Sequence, residues 1–452
     1  MNAADTSRCA IRSVPGYDSP ALRGAAAAIL AADAGLASWR LAPDPGRLVV
    51  VKPNWIQESA ESRPDVWEPV ITHPAVVLAV AAELAAAMGG EGTLCVCDAP
   101  HTYARWDAIL DRGGFRAGWD ALRARFPRVR WECIDLRREV WTVRDGVVVD
   151  RRPNAPDPRG YEAVNLGRDS LLFGHAGEGR YYGADYDTSV VNRHHRGETQ
   201  EYLLSGTAMR ADLFVNVAKL KTHKKTGLTC CLKNLVGING DKNWLPHFVR
   251  GFPRDGGDEF PDAGWARRIE GWGRRAGQRV ALAVPVAGPW LYRHARRAGV
   301  RALGGEGVIR NGNWRGNDTC WRMALDLNRA LLYGRPGGAW AAPDAPRRCL
   351  AIVDGIVGGE GNGPLDPDPA PSGVLFGGAH PAAVDAVACR LMGCEPERVS
   401  IVRRAFDAHR WPLGRGAMEE IVVDDGRVGR EVPWREVAPA LSRPFRPHFG
   451  WA

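Results

Sequence analysis

The sequence predicts an α/β protein, a mostly parallel sheet flanked by helices, with a helical Arg/Trp-rich insertion. Short apolar, β-branched runs alternate with Ala-rich helical stretches, and a glycine pair follows the clearest of these stretches. One long segment is rich in tryptophan and has few strand-like runs. The chain has 452 residues, 45% hydrophobic and 25% charged, which allows a large core and excludes disordered, collagen-like and small disulfide-stabilised proteins.

The first βαβ unit is the clearest local pattern. An apolar run at 48–51 predicts a strand, the stretch 74–88 predicts a helix that ends before Gly89 and Gly90, and 93–96 predicts the next strand. Two strands joined by a helix imply a parallel pair covered by helices. The same reasoning predicts further strands at 129–134, 213–217, 350–353 and 374–376, and further helices at 21–37 and 381–392.

The insertion divides the chain into a first core segment, 1–250, the helical basic segment, 251–345, and a second core segment, 346–452. Between Arg267 and Arg301 there are nine arginines and one acidic residue, a local charge of +8 that equals the net charge of the whole chain. The rest of the chain is therefore neutral overall, and nucleic-acid binding is not expected.

Cysteine usage and hydropathy indicate the compartment. The ten cysteines include no C-x-x-C spacing, so neither an iron–sulfur cluster nor a structural zinc site is expected. Because no apolar run is long enough to span a bilayer, we expect a cytoplasmic protein. The arginine-flanked run 280–292 offers two interpretations: peripheral membrane contact through 267–301, or a core-facing or oligomer contact.

Lysine is rare, and its distribution points to a site. Only seven of the 60 basic residues are lysine, and six of them lie within 219–242. We expect lysine to be retained where a function needs its compact ammonium group and the planar guanidinium group of arginine cannot replace it. Since ligands of open α/β sheets bind at the carboxyl ends of the strands, we expect the lysines to line one site there. They are Lys52, Lys219, Lys221, Lys224, Lys225, Lys233 and Lys242.

The lysine-rich segment contains the parts of an anion site: ammonium groups, threonine hydroxyls and backbone N–H groups near a helix start. A helix over 227–236 is predicted to place Thr229 and Lys233 on one face. A solvated basic loop is the alternative interpretation. The predicted ligand-binding residues are Lys52, Asn54, Lys219, Lys221, Thr222, Thr226, Asn234, Gly361 and Gly363.

Two residues are predicted to be catalytic. Lys233 is expected to stabilise negative charge in the transition state, and His223 to move a proton, with His247 as a second acid–base candidate. Cys230 and Cys231 are nucleophile candidates only if the nearby lysines lower their pKa; packing against the sheet is the alternative.

Carboxylates near the predicted strand ends suggest a divalent metal. Asp98, Asp354 and Glu360 supply oxygen ligands suited to Mg²⁺, Mn²⁺ or Zn²⁺, although a glycine-rich turn with helix-capping acids is the alternative. Asp385 could add a carboxylate or be a buried partner of a basic residue. A mixed nitrogen and oxygen site is a further hypothesis for Asp185, Asp187, His194 and His195.

Several long motifs follow one another along the chain: KPNW at Lys52, Thr72-His73-Pro74, LFVNVAKLKTHKKTGLTCCLKNLVG at 213–237, IVDGIVGGEGNGP at 352–364 and HPAAVDAVACRLMG at 380–393. Together they resemble the DUF362 family over most of 45–250 and 348–400. The family is defined as a domain of unknown function. Some members carry a ferredoxin-like cysteine cluster, but this sequence lacks one, so the resemblance implies no iron–sulfur function here.

These patterns predict an enzyme that acts on an anionic, phosphorylated or carboxylated small molecule or glycan precursor, as a metal-assisted transferase or hydrolase. A non-catalytic anion-binding or membrane-surface scaffold is the main alternative. An iron-containing redox protein is the lesser one, since it follows only from the label given to the family. The sequence leaves the substrate and the oligomeric state open.

Overall fold

The computed structural model describes residues 7–31, 42–284, 287–303 and 307–452. Its strands are β1 (Arg8–Ser13), β2 (Leu48–Pro53), β3 (Gly92–Asp98), β4 (Val129–Asp135), β5 (Glu139–Arg144), β6 (Val147–Pro153), β7 (Tyr161–Asn165), β8 (Tyr181–Tyr182), β9 (His195–Arg196), β10 (Thr199–Ser205), β11 (Leu213–His223), β12 (Gly227–Thr229), β13 (Phe248–Val249), β14 (Cys349–Asn362), β15 (Asp366–Ala370), β16 (Val374–Gly378), β17 (Val422–Asp425) and β18 (Arg430–Pro433).

Twelve α-helices lie in the described part of the chain. They are α1 (Ala21–Leu30), α2 (Pro74–Ala87), α3 (Trp106–Leu110), α4 (Phe115–Arg125), α5 (Ser189–His194), α6 (Gly206–Met209), α7 (Cys231–Asn234), α8 (Trp265–Ala283), α9 (Ala287–Ala302), α10 (Cys320–Tyr333), α11 (Pro381–Leu391) and α12 (Ser400–Arg403). None of these helices is both long enough and apolar enough to cross a bilayer.

An eleven-stranded sheet organises the fold, in the order β18-β17-β1-β16-β14-β11-β2-β3-β4, with β12 and β15 paired to β11 and β14. The five strands from β14 to β4 run parallel to one another, and β16 joins β14 and β1 in antiparallel register. The predicted α/β architecture with a mostly parallel central sheet is confirmed, and the carboxyl ends of its parallel strands lie along one edge.

Both faces of the sheet are buried, as the continuous apolar strands require. Side chains alternate along β2, so that Val49 and Val51 pack with α1 and α2, whereas Val50 packs on the opposite face with residues of α10. Thirteen of the fourteen residues of α10 are buried. This helix of the predicted insertion therefore belongs to the core layer.

Two local predictions differ from the structure. The strand predicted at 213–217 continues to His223, so Lys219 and Lys221 lie inside β11. The helix predicted over 227–236 is wrong: Gly227 adopts a φ of +77°, the chain returns along β11 as β12, and only Cys231–Asn234 is α-helical. Residues 32–37 of the first predicted helix lie outside the described residues, and the domain boundaries remain a prediction.

A buried ion pair joins the two central strands. Lys219 of β11 stands opposite Asp354 of β14, and its Nζ lies 2.8 Å from Asp354 Oδ2. The same carboxylate accepts the backbone N–H of His73, at the start of α2, at 2.8 Å, and the hydroxyl of Tyr17 at 3.1 Å. Burial lowers the pKa of Lys219, and Asp354 opposes that shift. The pair therefore connects the sheet, α2 and the N-terminal segment.

The change Lys219→Met removes the cationic partner of this buried carboxylate. We expect urea denaturation to show a free energy of unfolding lower by about 3–5 kcal/mol, because Asp354 is left without its counter-ion. Adding Asp354→Leu is expected to restore part of the loss. As a control, Arg8→Met breaks the exposed pair with Glu431 and should cost less than about 1 kcal/mol. Equal losses in Lys219→Met and Arg8→Met would contradict the role of the pair.

Candidate functional site

Polar side chains from neighbouring parallel strands meet at the carboxyl edge of the sheet. Lys52 Nζ, at the end of β2, lies 2.7 Å from Asp98 Oδ1, at the end of β3. The other oxygen of Asp98 accepts the backbone N–H of Trp55 at 2.7 Å. The ammonium and the carboxylate are both buried, so each satisfies the charge of the other.

The short helix α7 supplies the next layer of the site. Asp385 of α11 accepts the N–H groups of Cys231 and Leu232 at 2.8 and 3.0 Å, which fixes the start of α7. At its end, the side-chain oxygen of Asn234 accepts from Lys52 at 3.1 Å and from Asn54 at 2.9 Å. The motifs around Lys52 and 213–237 are thus joined through one asparagine.

A cavity of about 340 Å³ opens beside these residues. Its lining contains seven basic side chains and one acidic side chain, Asp98, which is already paired with Lys52. The basic residues are Lys52, Lys224, Lys225, Lys233, Lys242, Arg274 and Arg296, and the lining histidines are His101, His223 and His247. The cavity is therefore strongly cationic.

The cavity lysines differ in the hydrogen-bond partners of their ammonium groups. Lys242 Nζ donates to the carbonyl oxygen of Val236 at 2.7 Å, and Lys225 Nζ donates to that of Asn311. Lys224 and Lys233 make no side-chain hydrogen bond or ion pair with any residue in the described ranges. Two ammonium groups of the lining therefore have no protein partner in the described structure.

Burial and mutual repulsion depress the pKa of two lining lysines and of two lining histidines. Burial is the largest cause for Lys225 and for Lys242, and it lowers the pKa of each to about 7. Burial, followed by the charge of Lys233, also holds the pKa of His223 and His247 well below the usual value. Positive charge in this cavity is therefore under-compensated, and the two imidazoles are neutral at pH 7.

The two neutral histidines carry their ring proton on different nitrogens. His223 Nδ1 accepts from the backbone N–H groups of Lys225 and Thr226 at 3.0 and 3.2 Å, so its ring proton is on Nε2. His247 Nδ1 is 2.9 Å from the carbonyl oxygen of Leu245, which can only accept, so Nε2 keeps a lone pair. His223 is therefore suited to donate a hydrogen bond, and His247 to accept a proton.

Four buried polar atoms of the lining have no hydrogen-bond partner among the described residues. They are Asn54 Oδ1, His101 Nδ1, Thr229 Oγ1 and Asn313 Oδ1. A buried polar atom that is left unpaired costs free energy. These atoms provide further points at which a polar ligand is able to bind.

Six of the predicted site residues lie together at the cavity: Lys52, Asn54, Asp98, His223, Lys233 and Asn234. Four others are bonded within the protein, away from the lining. Lys219 pairs with Asp354, and Lys221, Thr222 and Thr226 donate to the backbone carbonyls of Val70, Gly361 and Leu228 respectively.

Gly361 and Gly363 also lie away from the cavity lining. A Cβ built at Gly363 would come within 2.0 Å of the Thr222 carbonyl oxygen. The absence of a side chain there allows two backbone segments to pack closely, and Lys224 N donates to Gly363 O at 3.0 Å. Glycine is therefore needed at position 363 because this segment packs directly against the backbone of Thr222.

The predicted cluster of Asp98, Asp354 and Glu360 is not formed. Each carboxylate has a basic partner instead: Lys52, Lys219 and Arg443, the last with two contacts of 2.7 and 2.8 Å. Within the described ranges, these three do not form a group whose ligand atoms all lie within 4.8 Å of one another. Their pairing with bases leaves them poorly placed to share one cation, and a metal at these residues stays a prediction.

Cys230, Cys231 and Asp385 do bring three ligand atoms within 4.8 Å of one another. Burial raises the pKa of the Cys231 thiol to about 12, and that of Cys230 well above its usual value. Both thiols therefore keep their protons in the metal-free protein, whereas nucleophilic attack needs the thiolate. The position of the group, beneath α7, favours the packing interpretation of these two cysteines.

The polar residues of the middle segment have separate partners. Asp185 pairs with Arg151, Asp187 accepts the N–H of Ser189 at 2.9 Å, His194 lies 2.8 Å from Glu201, and His195 lies 2.8 Å from the carbonyl oxygen of Trp244. They do not form a metal-ligand group within the described structure. The hypothesis of a mixed site at these four residues is therefore not supported by their geometry.

Sequence reasoning missed part of the lining. Arg274, Arg296 and Tyr292 come from α8 and α9, and nothing in their local sequence connects them to the lysine-rich segment. His101 was also not singled out, although it follows Asp98 by only three residues. Lys224, Lys225 and Lys242 were recognisable, since the rarity of lysine already marked them.

The comparisons with known proteins identify a family. Residues 161–390 match the family described as a domain of unknown function, DUF362. Comparison with curated proteins gives no match. Among solved structures, a structural-genomics target from Thermotoga maritima is similar at 12% identity and a TM-score of 0.28, over 75% of this chain. This chain spans 53% of that protein's length. The match over half of the sequence, in the region of the longest motifs, shows that the chain belongs to the DUF362 family.

Proposed function

We propose that this protein is an enzyme that binds an anionic small molecule, phosphorylated or carboxylated, in the cationic cavity. The observation that carries the proposal is the lining of seven basic side chains with a single, already paired carboxylate. The volume of about 340 Å³ suits a metabolite or the anionic end of a larger molecule such as a glycan precursor.

The electrostatics of the cavity support an anionic ligand. The ammonium groups of Lys224 and Lys233 have no ion-pair or hydrogen-bond partner in the described structure. Burial, with repulsion from neighbouring lysines, lowers the pKa of Lys225 and Lys242 to about 7. A bound anion would supply the missing negative charge and restore the ammonium form of both groups. Interactions of this kind are strong because the groups are shielded from water.

The arrangement also supports chemistry on the bound molecule. After burial, the charge of Lys233 is the next largest cause of the lowered pKa of both histidines, ahead of Lys225. Its ammonium group is available to stabilise negative charge that develops during a reaction. His247 presents an unprotonated Nε2 that is able to accept a proton, while His223 presents an N–H donor. This reverses the order of the two acid–base candidates, since the sequence placed His223 first.

The lysines, not a metal ion, carry the charge stabilisation in this proposal. The one carboxylate of the lining, Asp98, is held by Lys52 and by the N–H of Trp55. The other two predicted metal ligands lie away from the lining. An iron-containing redox protein is the lesser alternative. Stoichiometric iron with sulfide in anaerobically purified protein would support that alternative and contradict the proposal.

The first prediction concerns anion binding. Lys233→Met and Lys224→Met are each expected to weaken the binding of inorganic phosphate about 10- to 100-fold in isothermal titration calorimetry, because each removes a charge-assisted contact. Arg398→Met removes an exposed arginine outside the cavity lining and serves as the charge-matched control. Phosphate binding that is equal in all four proteins would contradict the site.

The second prediction concerns pH. Because the pKa of Lys225 and Lys242 is about 7, both are mostly charged at pH 6 and mostly neutral at pH 8 before an anion binds. An anion raises both pKa values, so binding takes up protons at pH 8 and few at pH 6, and affinity falls as pH rises above 7.

Sulfate is a suitable probe, since it does not titrate in this range. Calorimetry in buffers of different ionisation enthalpy measures the proton uptake directly. The double variant Lys225→Met/Lys242→Met is expected to lose the uptake. Proton release, or uptake that the double variant retains, would overturn the assignment.

The third prediction separates an enzyme from a scaffold. We expect mass spectrometry to detect turnover of a member of a panel of phosphorylated and carboxylated metabolites. His247→Gln should slow it at least about 100-fold while phosphate affinity is retained, because the proton acceptor is lost. His223→Gln, which keeps an N–H donor, should be affected less. Lys233→Arg should bind phosphate but turn over poorly. A panel without turnover, together with unimpaired phosphate binding, would favour the scaffold.

A further inference from the structure

Exposed apolar side chains concentrate on α8 and α9. Of the twelve large hydrophobic residues that are exposed in the described structure, eight lie between positions 265 and 291. They are Trp265, Ile269, Trp272, Val280, Leu282, Val284, Trp290 and Leu291. Trp265 and Trp272 are 75% and 67% exposed, which is unusual for tryptophan. Contiguous exposure of this kind marks an interaction surface.

The exposed residues of α8 form one stripe. Trp265, Ile269 and Trp272 follow the i, i+4, i+7 spacing of a single helix face, and Val280 continues it. The buried residues of α8 are Gly271, Gln278 and Ala281, on the side that faces the protein. The helix is therefore amphipathic with its apolar stripe turned outward.

The arginines divide between the two sides of the helix pair. On the inner side, Arg267 pairs with Glu270, Arg274 with Glu259, and Arg293 and Arg296 both contact Asp145. On the outer side, Arg268, Arg275, Arg279, Arg297 and Arg301 are exposed. None of these five has an ion-pair partner among the residues that the structure describes.

We propose that the outer face of α8 and α9 docks on a membrane surface rich in anionic phospholipid. Tryptophan and aliphatic side chains insert at the level of the headgroups, and the unpaired arginines bind the lipid phosphates. A nucleic acid would use the arginines but leave the apolar stripe in water, and a protein partner would need to supply acids for all five arginines. An anionic bilayer satisfies both features, and the contact is peripheral because no described helix is long and apolar enough to cross it.

Docking places the cavity beside the membrane. The inner side of the same two helices contributes Arg274, Tyr292 and Arg296 to the cavity lining. The width of one helix, about 10 Å, then separates the lipid surface from that wall of the cavity. This consequence rests on the proposed function, whereas the docking itself does not.

The test is co-sedimentation of the full chain with vesicles. We expect binding to vesicles of mixed phosphatidylcholine and phosphatidylglycerol, little binding to phosphatidylcholine alone, and weaker binding at high salt. The triple variant Arg268→Gln/Arg275→Gln/Arg279→Gln should reduce the affinity about 100-fold. Trp265→Gln/Trp272→Gln should reduce it at least about tenfold.

Controls distinguish loss of the membrane-binding surface from misfolding of the variant. They also separate the docking proposal from the proposal that the cavity binds an anion. Val428→Gln and Arg398→Gln change exposed residues elsewhere and should bind mixed vesicles as the parent protein does. Retained phosphate affinity in the helix-pair variants shows an intact cavity, while lost phosphate binding with retained vesicle binding would contradict the proposed function alone.

Three outcomes would overturn the docking proposal. The first is equal binding to both kinds of vesicle, or to neither. The second is binding to a DNA duplex that depends on the arginines and not on the tryptophans, which would indicate a nucleic-acid surface. The third is a dimer in light scattering that Trp265→Gln/Trp272→Gln dissociates, which would assign the stripe to a second copy of the chain.

Discussion

The cost of burying ammonium groups is the constraint on which the site depends. Lysine leaves water only if its charge is paired or its hydrogen bonds are replaced. Lys52 and Lys219 each bind a carboxylate of an adjacent strand, and Lys221 donates to backbone carbonyls. The first two pairings occupy Asp98 and Asp354, which the sequence had offered as metal ligands. Lys224 and Lys233 remain without such partners in the described structure, and the cavity beside them keeps its excess positive charge.

Burial and that excess charge act together on the neighbouring imidazoles. The charge of Lys233 adds to burial in keeping both His223 and His247 neutral. Which nitrogen of each ring carries the proton is then decided by the backbone: N–H groups approach Nδ1 of His223, and a carbonyl oxygen approaches Nδ1 of His247. Two histidines in one electrostatic environment thereby become a hydrogen-bond donor and a proton acceptor. Residue type alone, which is all that a sequence shows, does not distinguish these roles.

The sequence predicted the parts of the molecule that depend on short-range patterns. Apolar β-branched runs identified β2, β3, β11 and β14, and the rarity of lysine identified much of the cavity lining, because both signals lie in a few adjacent residues. The sequence could not reveal that Glu360 pairs with Arg443, which lies 83 positions away. Glu360 was therefore predicted to be a metal ligand. The stretch 227–236 was misread for a related reason. Its residues suit a helix, but pairing of β12 with β11 overrides local preference.

The nine arginines of 267–301 look alike in the sequence, and the fold divides them into two classes. On the inner side, Arg267, Arg274 and Arg293 form ion pairs with Glu270, Glu259 and Asp145 respectively. Arg296 donates to the backbone carbonyl oxygen of Asp145. The outer arginines are exposed, so their attraction for anions is weakened by salt over a distance of about 8 Å at physiological ionic strength. The cavity lysines are buried or half-buried, so salt screens their charge less. We therefore expect a rise in ionic strength to weaken the proposed membrane docking more than the proposed binding of an anion in the cavity.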